Sequence, residues 1–207
     1  MNLIENNKVS ITGEIISHFV FSHEVCGEAF YIIEVRVDRL SGGCDIIPCM
    51  ISERLIDVTK DYYGQMVEVF GQFRSCNKQE GDKRKLMLSV FAQDCTFIEA
   101  DEVNQYRTNA IYLEGFICKQ PVYRVTPLGR EIADLLVAVN RPYGKSDYIP
   151  CIAWGRNARF AGNFEVGRGI KIWGRIQSRE YVKRIDGESE EKRTAYEVSV
   201  SRMEYER

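Results

Sequence analysis

Apolar and polar residues alternate along several segments in the second half of the chain. Residues 109–117 (NAIYLEGFI) and 194–205 (TAYEVSVSRMEY) place apolar side chains at nearly every second position, which is the period of a strand with one buried face. Residues 131–141 (EIADLLVAVNR) are more continuously apolar and predict a central strand. Residues 148–155 (YIPCIAWG) and 169–182 (GIKIWGRIQSREYV) complete a β-rich pattern.

Turn and helix signals separate these strands. Residues 141–147 (RPYGKSD) contain Pro and Gly, and residues 185–192 (IDGESEEK) contain the Asp-Gly pair typical of a hairpin. Residues 156–167 (RNARFAGNFEVG) predict a short helix that ends in glycine. The order of three strands, a helix and two strands favours the OB-fold, a five-stranded, partly open Greek-key barrel. A small β-sandwich is the alternative, which a helix between strands 3 and 4 fits poorly.

The same pattern occurs twice in the chain. DIIPCMISE begins at Asp45 and DYIPCIAWG begins at Asp147, and four of their first five residues are identical. This offset of 102 residues, which becomes 103 after one insertion, aligns many further positions. Among the aligned pairs are Val9 with Ile111, Gly13 with Gly115, Arg39 with Arg141, Gly71 with Gly174 and Ser75 with Ser178. The duplication predicts an all-β protein with two tandem OB-folds, each carrying a short helix between strands 3 and 4.

The period is too long for a solenoid repeat and indicates two related domains. A polar segment, residues 99–109 (EADEVNQYRTN), marks the join. We therefore predict an N-terminal domain over residues 1–102 and a C-terminal domain over residues 103–207. A length of 207 residues, of which 44% are hydrophobic, is sufficient for two small cores.

No segment predicts membrane insertion or export. No apolar run approaches about 18 residues, the length of a membrane-spanning helix, and the opening MNLIENNKVSITGEI has no basic stretch followed by an apolar one. The simplest expectation is a cytoplasmic protein that does not contact a membrane.

The cysteine and histidine residues do not predict a metal site. Seven cysteines are scattered without a C-x-x-C pair, and His18 and His23 lie in one segment, whereas zinc ligands come in closely spaced pairs. Reduced thiols packed as small apolar side chains are favoured, with a catalytic Cys–His pair as the alternative. The sequence also lacks a convergent set of carboxylates. We therefore expect no cofactor and no enzymatic activity.

Three segments, in order, resemble the bacterial single-stranded DNA-binding protein family: NAIYLEGFI, LLVAVNRPYGKSDYIPCIAWGRNA and GIKIWGRIQSREY. Nearly all of residues 108–205 follow that family's pattern, whereas the first half resembles it only through its similarity to the second. The resemblance implies OB-folds that bind single strands with little sequence preference in DNA replication, repair or recombination. It also implies four OB-folds per particle, which a chain with two of them reaches as a homodimer.

The family usually continues into a flexible tail whose acidic tip recruits partners. The sequence ends at SRMEYER, just past the last predicted strand, so no acidic recruiting tip is expected. Replication proteins are possible partners by the resemblance. An apolar surface that includes Phe70, Phe73 and Trp173 also favours the homodimer.

Binding of single strands without sequence preference needs cations for phosphates and flat aromatic faces for bases. In GIKIWGRIQSREY, one strand parity carries interior isoleucines and the other carries cations and rings. The predicted binding residues of this segment are Lys171, Trp173, Arg175, Arg179 and Tyr181. Tyr148 and Trp154 share the outward face of DYIPCIAWG and are predicted to stack on bases; Trp173 has a subunit interface as its alternative.

Further cations flank this predicted face. Arg156 opens the helical segment, Arg124 lies in the first loop, and Lys183 and Arg184 lie near the Asp-Gly hairpin. We predict phosphate contacts for them, with a solvated surface position as the alternative. Such contacts set the dependence of binding on salt rather than on sequence.

The two copies differ in charge and in these residues. Residues 1–102 hold 10 Lys and Arg against 17 Asp and Glu, a net charge of −7, whereas residues 103–207 carry +5. Ile46 and Ser52 replace the second copy's Tyr148 and Trp154. We therefore predict a basic, DNA-binding second domain and an acidic first domain with a structural or assembly role. The alternative function is an OB-fold interaction module that assembles a replication or mobile-element complex and binds nucleic acid weakly.

Overall fold

The computed structural model describes residues 5–80, 83–185 and 189–205, and it describes their side chains except at positions 78–80, 83–84, 183–185 and 189. Within this part of the chain, twelve strands and one short α-helix form two tandem OB-folds, as predicted. The first domain contains β1 (Asn7–Ile15), β2 (Val20–Val25), β3 (Glu28–Asp38), β4 (Cys44–Ser52), β5 (Met66–Glu80) and β6 (Lys83–Phe97). The second contains β7 (Asn109–Ile117), β8 (Val122–Val125), β9 (Glu131–Arg141), β10 (Lys145–Trp154), α1 (Arg156–Ala161), β11 (Gly169–Ile185) and β12 (Ser189–Tyr205).

The strand order reads the same from both ends of one continuous sheet. The order is β2-β3-β4-β6-β5-β1-β7-β11-β12-β10-β9-β8, and the second six strands repeat the first six in reverse. Additional pairing of β1 with β3 and of β7 with β9 closes each half into a barrel. Each barrel is mostly antiparallel and contains one parallel contact, β4 with β6 and β10 with β12.

Alternation along the strands places one apolar set in each barrel interior. Ile33, Val35 and Val37 are fully or almost fully buried on β3, and Cys49 and Cys151 are buried at equivalent positions of β4 and β10. Burial raises the pKa of both thiols, so they stay protonated and pack as small apolar groups, as expected. Two other thiols, at positions 26 and 76, are exposed, so this interpretation does not extend to them.

Phe73 also belongs to the core. It is fully buried on β5, and the expectation that it contributes to an apolar outer surface was wrong. The alternation of β5 places Phe73 inward and its neighbour Arg74 outward.

Two features differ from the predicted strand order. Each domain has one additional edge strand, β2 or β8, which pairs with the following strand as a hairpin. In the described part of the chain the α-helix is present only in the second domain, and residues 53–65 of the first domain form turns and irregular backbone instead. In that segment Asp57 and Asp61 accept backbone N–H bonds two residues on, from Thr59 and Tyr63, and such local bonds compete with a helix.

The two domains join through a pair of equivalent strands. β1 and β7 run antiparallel, and Val9 is paired with Ile111, its own counterpart in the duplication. Pairing of one element with its equivalent is the arrangement of a twofold-symmetric dimer interface. The junction therefore has an internal pseudo-twofold axis that passes between Val9 and Ile111.

Buried carboxylates cross this junction in both directions. Asp45 is 1% exposed, and its Oδ1 accepts the backbone N–H of Ser178 at 2.8 Å. Asp147 is 0% exposed, and its Oδ1 accepts the backbone N–H of Ser75 at 2.8 Å. The two serine hydroxyls accept backbone N–H bonds in return, from residues 46 and 148 at 3.0 and 2.8 Å. Each domain thus supplies the acceptor that the other domain needs.

Arginines complete the charge balance of these carboxylates. Arg39 donates from Nε to Asp45 Oδ2 at 2.7 Å, and Arg175 of the second domain donates from Nη1 to the same oxygen at 2.9 Å. Arg141, the counterpart of Arg39, places its Nε 3.5 Å from Asp147 Oδ2. A buried charge is tolerated only when paired. Arg39 and Arg141 pair with the carboxylate of their own domain, whereas the contact of Arg175 with Asp45 crosses the junction and helps to fix the relative position of the two barrels.

Replacement of Asp45 by Ala is expected to destabilise the folded chain. The change leaves the Ser178 N–H without its acceptor and removes the partner of two arginines, so the free energy of unfolding should fall by about 3 kcal/mol, the lower end for breaking a buried ion pair. Urea denaturation followed by circular dichroism measures this change. Asp38→Ala is the control: Asp38 is 70% exposed in its pair with Arg36, and its loss should cost within about 0.5 kcal/mol. Equal stability of the two variants would contradict the role of the junction.

Candidate nucleic-acid interface

Tyr148 and Trp154 lie on the outer face of the second barrel. Ile149, Cys151 and Ala153 are buried along β10, and the alternate residues point outward. Tyr148 is 46% exposed and Trp154 is 38% exposed. Large flat side chains on an open sheet face provide the surface on which nucleic acid bases stack.

A third aromatic residue on this face was missed by the sequence analysis. Phe116 on β7 is 42% exposed and is paired with Ala138 on β9, which is in turn paired with Tyr148 on β10. Phe116 and Tyr148 therefore stand on either side of one small side chain, two strand spacings or about 10 Å apart. Alternation alone shows that Phe116 faces outward, but its position beside Tyr148 depends on the β7–β9 register, which local pattern does not determine.

The β11–β12 hairpin carries a second aromatic and cationic group. Tyr181 is 38% exposed, and the guanidinium carbon of Arg179 lies 6.0 Å from the centre of its ring. Arg193, which is paired with Tyr181 across the hairpin, bonds Glu191, and this bond is the main cause that raises the pKa of Arg193. The hairpin therefore presents the Tyr181 ring with the Arg179 guanidinium beside it, whereas the Arg193 guanidinium is bonded to a carboxylate.

The other residues predicted to contact phosphates differ in exposure and in ion pairing. Arg156 is exposed at the start of α1. Arg124 on β8 donates from Nε to Asp134 at 2.9 Å, which neutralises part of its charge. Lys183 and Arg184 belong to β11, but their side chains lie outside the described part of the chain.

Trp173 and Lys171 lie beside Tyr112 and Glu114 of β7 rather than beside Trp154. The Trp173 ring packs against Tyr112 of β7, with ring centres 5.2 Å apart, and the Arg202 guanidinium carbon lies 4.8 Å from its centre. Lys171 Nζ lies 3.7 Å from Glu114 Oε2, also on β7. Both residues therefore belong to the outer face of the central sheet around the pseudo-twofold axis, and β12 separates their strand from β10.

Arg175 is part of the domain junction. Its Nη1 bonds the buried carboxylate of Asp45 and its Nη2 donates to Gln177 at 3.1 Å. Alternation gives the face of a residue but not a partner 130 positions away, so the contact with Asp45 was not predicted. This contact gives Arg175 a structural role between the domains, and its phosphate contact stays a prediction.

The equivalent positions of the first domain lack outward aromatic residues. Ile46 occupies the position of Tyr148, and Ser52, which is buried, donates its hydroxyl to Glu28. The positions of Phe116 and Ala138 hold Glu14 and Arg36, which form an ion pair at 3.7 Å. The first barrel has therefore kept the scaffold with different chemistry at these positions.

Comparison with known proteins identifies the class of the second domain. Residues 108–205 match the Single-strand binding protein family. The second domain is therefore similar to members of that family over almost its whole length.

Bacterial relatives and solved structures extend this result. The chain is 35% identical over 80 residues to single-stranded DNA-binding protein 3 of Listeria innocua, covering 35% of this chain and 50% of the relative. It is 32% identical over 107 residues to the single-stranded DNA-binding protein of Fusobacterium nucleatum, covering 47% and 66%. The crystal structure of the wild-type single-stranded DNA-binding protein from Thermus aquaticus matches with a TM-score of 0.77 at 19% identity, covering 97% of this chain and 93% of that one.

These matches show different things. The Thermus aquaticus structure shares the fold of the whole chain, which supports tandem OB-folds for both halves. The chain spans about half the length of the curated relatives it matches, and these matches cover less than half of this chain. Within residues 5–80, 83–185 and 189–205, no helix has the length and hydropathy needed to cross a membrane.

Proposed function

We propose that the chain binds single-stranded DNA with little sequence preference and acts in DNA replication, repair or recombination in the cytoplasm. The observation that carries this proposal is the exposure of Tyr148 and Trp154 on the outer face of a domain that matches the Single-strand binding protein family. The names of the bacterial relatives support the same ligand. The second domain, residues 103–207, is the main binding domain in this proposal.

In this proposal, aromatic side chains stack on the bases and cationic side chains attract the phosphates. Tyr148, Trp154 and Tyr181 offer flat faces to unpaired bases, and Phe116 adds a fourth ring beside Tyr148. Arg179 and the net charge of +5 on the second half attract the phosphates. Because duplex DNA hides its base faces within the stack, this surface favours single strands, and binding weakens as salt rises.

Replacement of Trp154 by Ala should weaken binding of an oligothymidylate by about 1–3 kcal/mol, the value of one stacked base. Fluorescence anisotropy of a labelled oligonucleotide measures the affinity. The matched control is Phe160→Ala: Phe160, a residue of α1, is exposed to a similar extent but packs against Phe164 and Tyr205. A folded Trp154→Ala variant that binds as tightly as the wild type would show that this ring does not stack on bases.

We also propose that the chain is a homodimer through the outer face of its central sheet. Phe70, 41% exposed, and Trp173 are equivalent residues of the duplication and lie on this face on opposite sides of the pseudo-twofold axis. Ser10, a small residue on β1, is paired with Phe70, and Tyr112 on β7 is paired with Trp173. A sheet face with rings at both sides and a small residue near the axis is suited to packing on a second copy.

Light scattering in solution should therefore give about twice the chain mass of 23.9 kDa at micromolar concentration. Trp173→Glu places a charge in the proposed interface and should shift the mass to that of one chain. Tyr148→Glu changes a ring on another surface and should leave the dimer intact. A monomer mass for the wild-type chain would contradict the dimer without affecting the proposal that it binds DNA.

A further inference from the structure

The first domain contains a continuous row of flat side chains that crosses its sheet. His23 on β2 stacks on Phe30 of β3, with ring centres 5.1 Å apart and planes 12° apart. Phe30 lies 5.7 Å from Phe91 of β6. The guanidinium carbon of Arg74 on β5 lies 3.9 Å above the Phe91 ring. We name these four residues the ring row.

The ring row lies on the outer face of the first barrel but uses different positions from the second barrel. Phe30 is paired with Ser52 and Phe91 with Met50, both on the outward parity of β4. That parity corresponds to the face of Tyr148 and Trp154 on β10. The second-domain counterparts of the ring row are Val125, Ile132, Ser199 and Gln177. The two domains thus carry aromatic groups on the same face at complementary positions.

The charge of this face is not the charge of the whole first domain. Around the ring row, beyond the bulge at Phe70/Gly71, the outward residues of β4, β5 and β6 include Ile46, Pro48, Met50, Gln72, Arg74, Cys76, Lys85, Met87, Ser89 and Phe91. These described side chains include two cations and no carboxylate, whereas Glu68 and Asp94 lie on the other side of the bulge. On the outward parity of β3, Glu28 is paired with Arg54 at 3.2 Å, and Glu34 is exposed beside Pro48. The described charges nearest Phe91 on β5 and β6 are therefore positive, although the whole domain has a net charge of −7.

The ring row ends beside the second domain's proposed interface. Ser75, next to Arg74 on β5, donates its backbone N–H to Asp147 and accepts the backbone N–H of Tyr148, both at 2.8 Å. Burial, the main cause, and the nearby Arg141 lower the pKa of Arg74, whereas Asp147 opposes this shift. Arg74 thus lies close to these two residues, and the outer faces of the two domains meet at this point.

We propose that the ring row is a second stacking platform for single-stranded nucleic acid. A strand bound across Tyr148 and Trp154 continues past Arg74 onto Phe91 and Phe30. This inference rests on the proposed function, because it extends the same binding path from the second domain to the first. It gives the acidic first domain a direct part in binding in addition to its part in the junction.

Intrinsic fluorescence separates the two platforms, because both tryptophans of the chain lie in the second domain. The full-length chain is titrated with oligothymidylates of about 8 and about 30 nucleotides, chosen to span one OB-fold and both OB-folds. The variant Phe30→Leu with Phe91→Leu keeps apolar bulk and removes the flat faces. It should bind the long strand at least about fivefold more weakly, the minimum for one stacked base. Tryptophan quenching by the short strand should stay within about twofold of the wild type.

Phe21→Leu is the matched control. Phe21 lies on β2 beyond an irregularity in the ladder and packs against Tyr31, on the opposite parity from Phe30, so its loss should not change the affinity for either strand. A second variant, Phe91→Trp, keeps an aromatic ring and places a fluorophore in the row. Its additional emission should be quenched by the long strand.

The outcomes separate this inference from the proposed function. The ring-row platform is overturned if the leucine variant binds the long strand with unchanged affinity and the strand does not quench the added fluorophore of Phe91→Trp. If the strand still quenches the tryptophans of the wild-type chain, the proposed function stands. Absence of binding by the wild type to either strand overturns both proposals.

Discussion

The reciprocal burial of Asp45 and Asp147 against the opposite domain holds the two barrels in one arrangement. A buried carboxylate without partners is strongly unfavourable, so neither barrel can leave this contact without exposing or orphaning a charge. The pairing of β1 with β7 adds a continuous backbone ladder across the same junction. Together these contacts make the two barrels one unit, and they bring Arg74 of the first domain next to Tyr148 of the second.

The duplicated residues and the divergent residues perform different tasks. Asp45 and Asp147, and likewise Ser75 and Ser178, are identical in the two copies and hold the junction. Outward positions have diverged: rings stand at 148 and 154 in one copy, and at 30 and 91 in the other. Internal symmetry thus preserves the scaffold while each outer face acquires its own chemistry.

Much of the fold was predictable from the sequence. The period of two placed the core residues, and the repeat gave two OB-folds, because both depend on local pattern. The edge strands β2 and β8 and the loss of the helix in the first domain were missed, since weak turn and capping preferences decide them. The interior cysteines at 49 and 151 were interpreted correctly because they fall on the buried parity of their strands.

The candidate site was predicted less completely, for a physical reason. Alternation correctly gave outward positions for Tyr148 and Trp154, but it cannot show which strands become neighbours. Three features were therefore not predicted, because each depends on pairing between distant parts of the chain: the contact of Arg175 with Asp45, the position of Phe116 beside Tyr148, and the ring row. Asp45 and Ser75 of the first copy recur as Asp147 and Ser178 of the second, and this recurrence was a signal for a shared structural role. Only the three-dimensional structure shows that each aspartate pairs with the serine of the other domain.

Photochemical crosslinking can locate the bound strand on the surface of the protein. An oligothymidylate containing 4-thiothymidine is bound to the full-length chain and irradiated, and mass spectrometry locates the crosslinked peptides. The account predicts crosslinks on β10 around Tyr148 and Trp154 and on the β11–β12 hairpin around Tyr181. Crosslinks confined to the central sheet around Phe70 and Trp173, with none on β10, would contradict it.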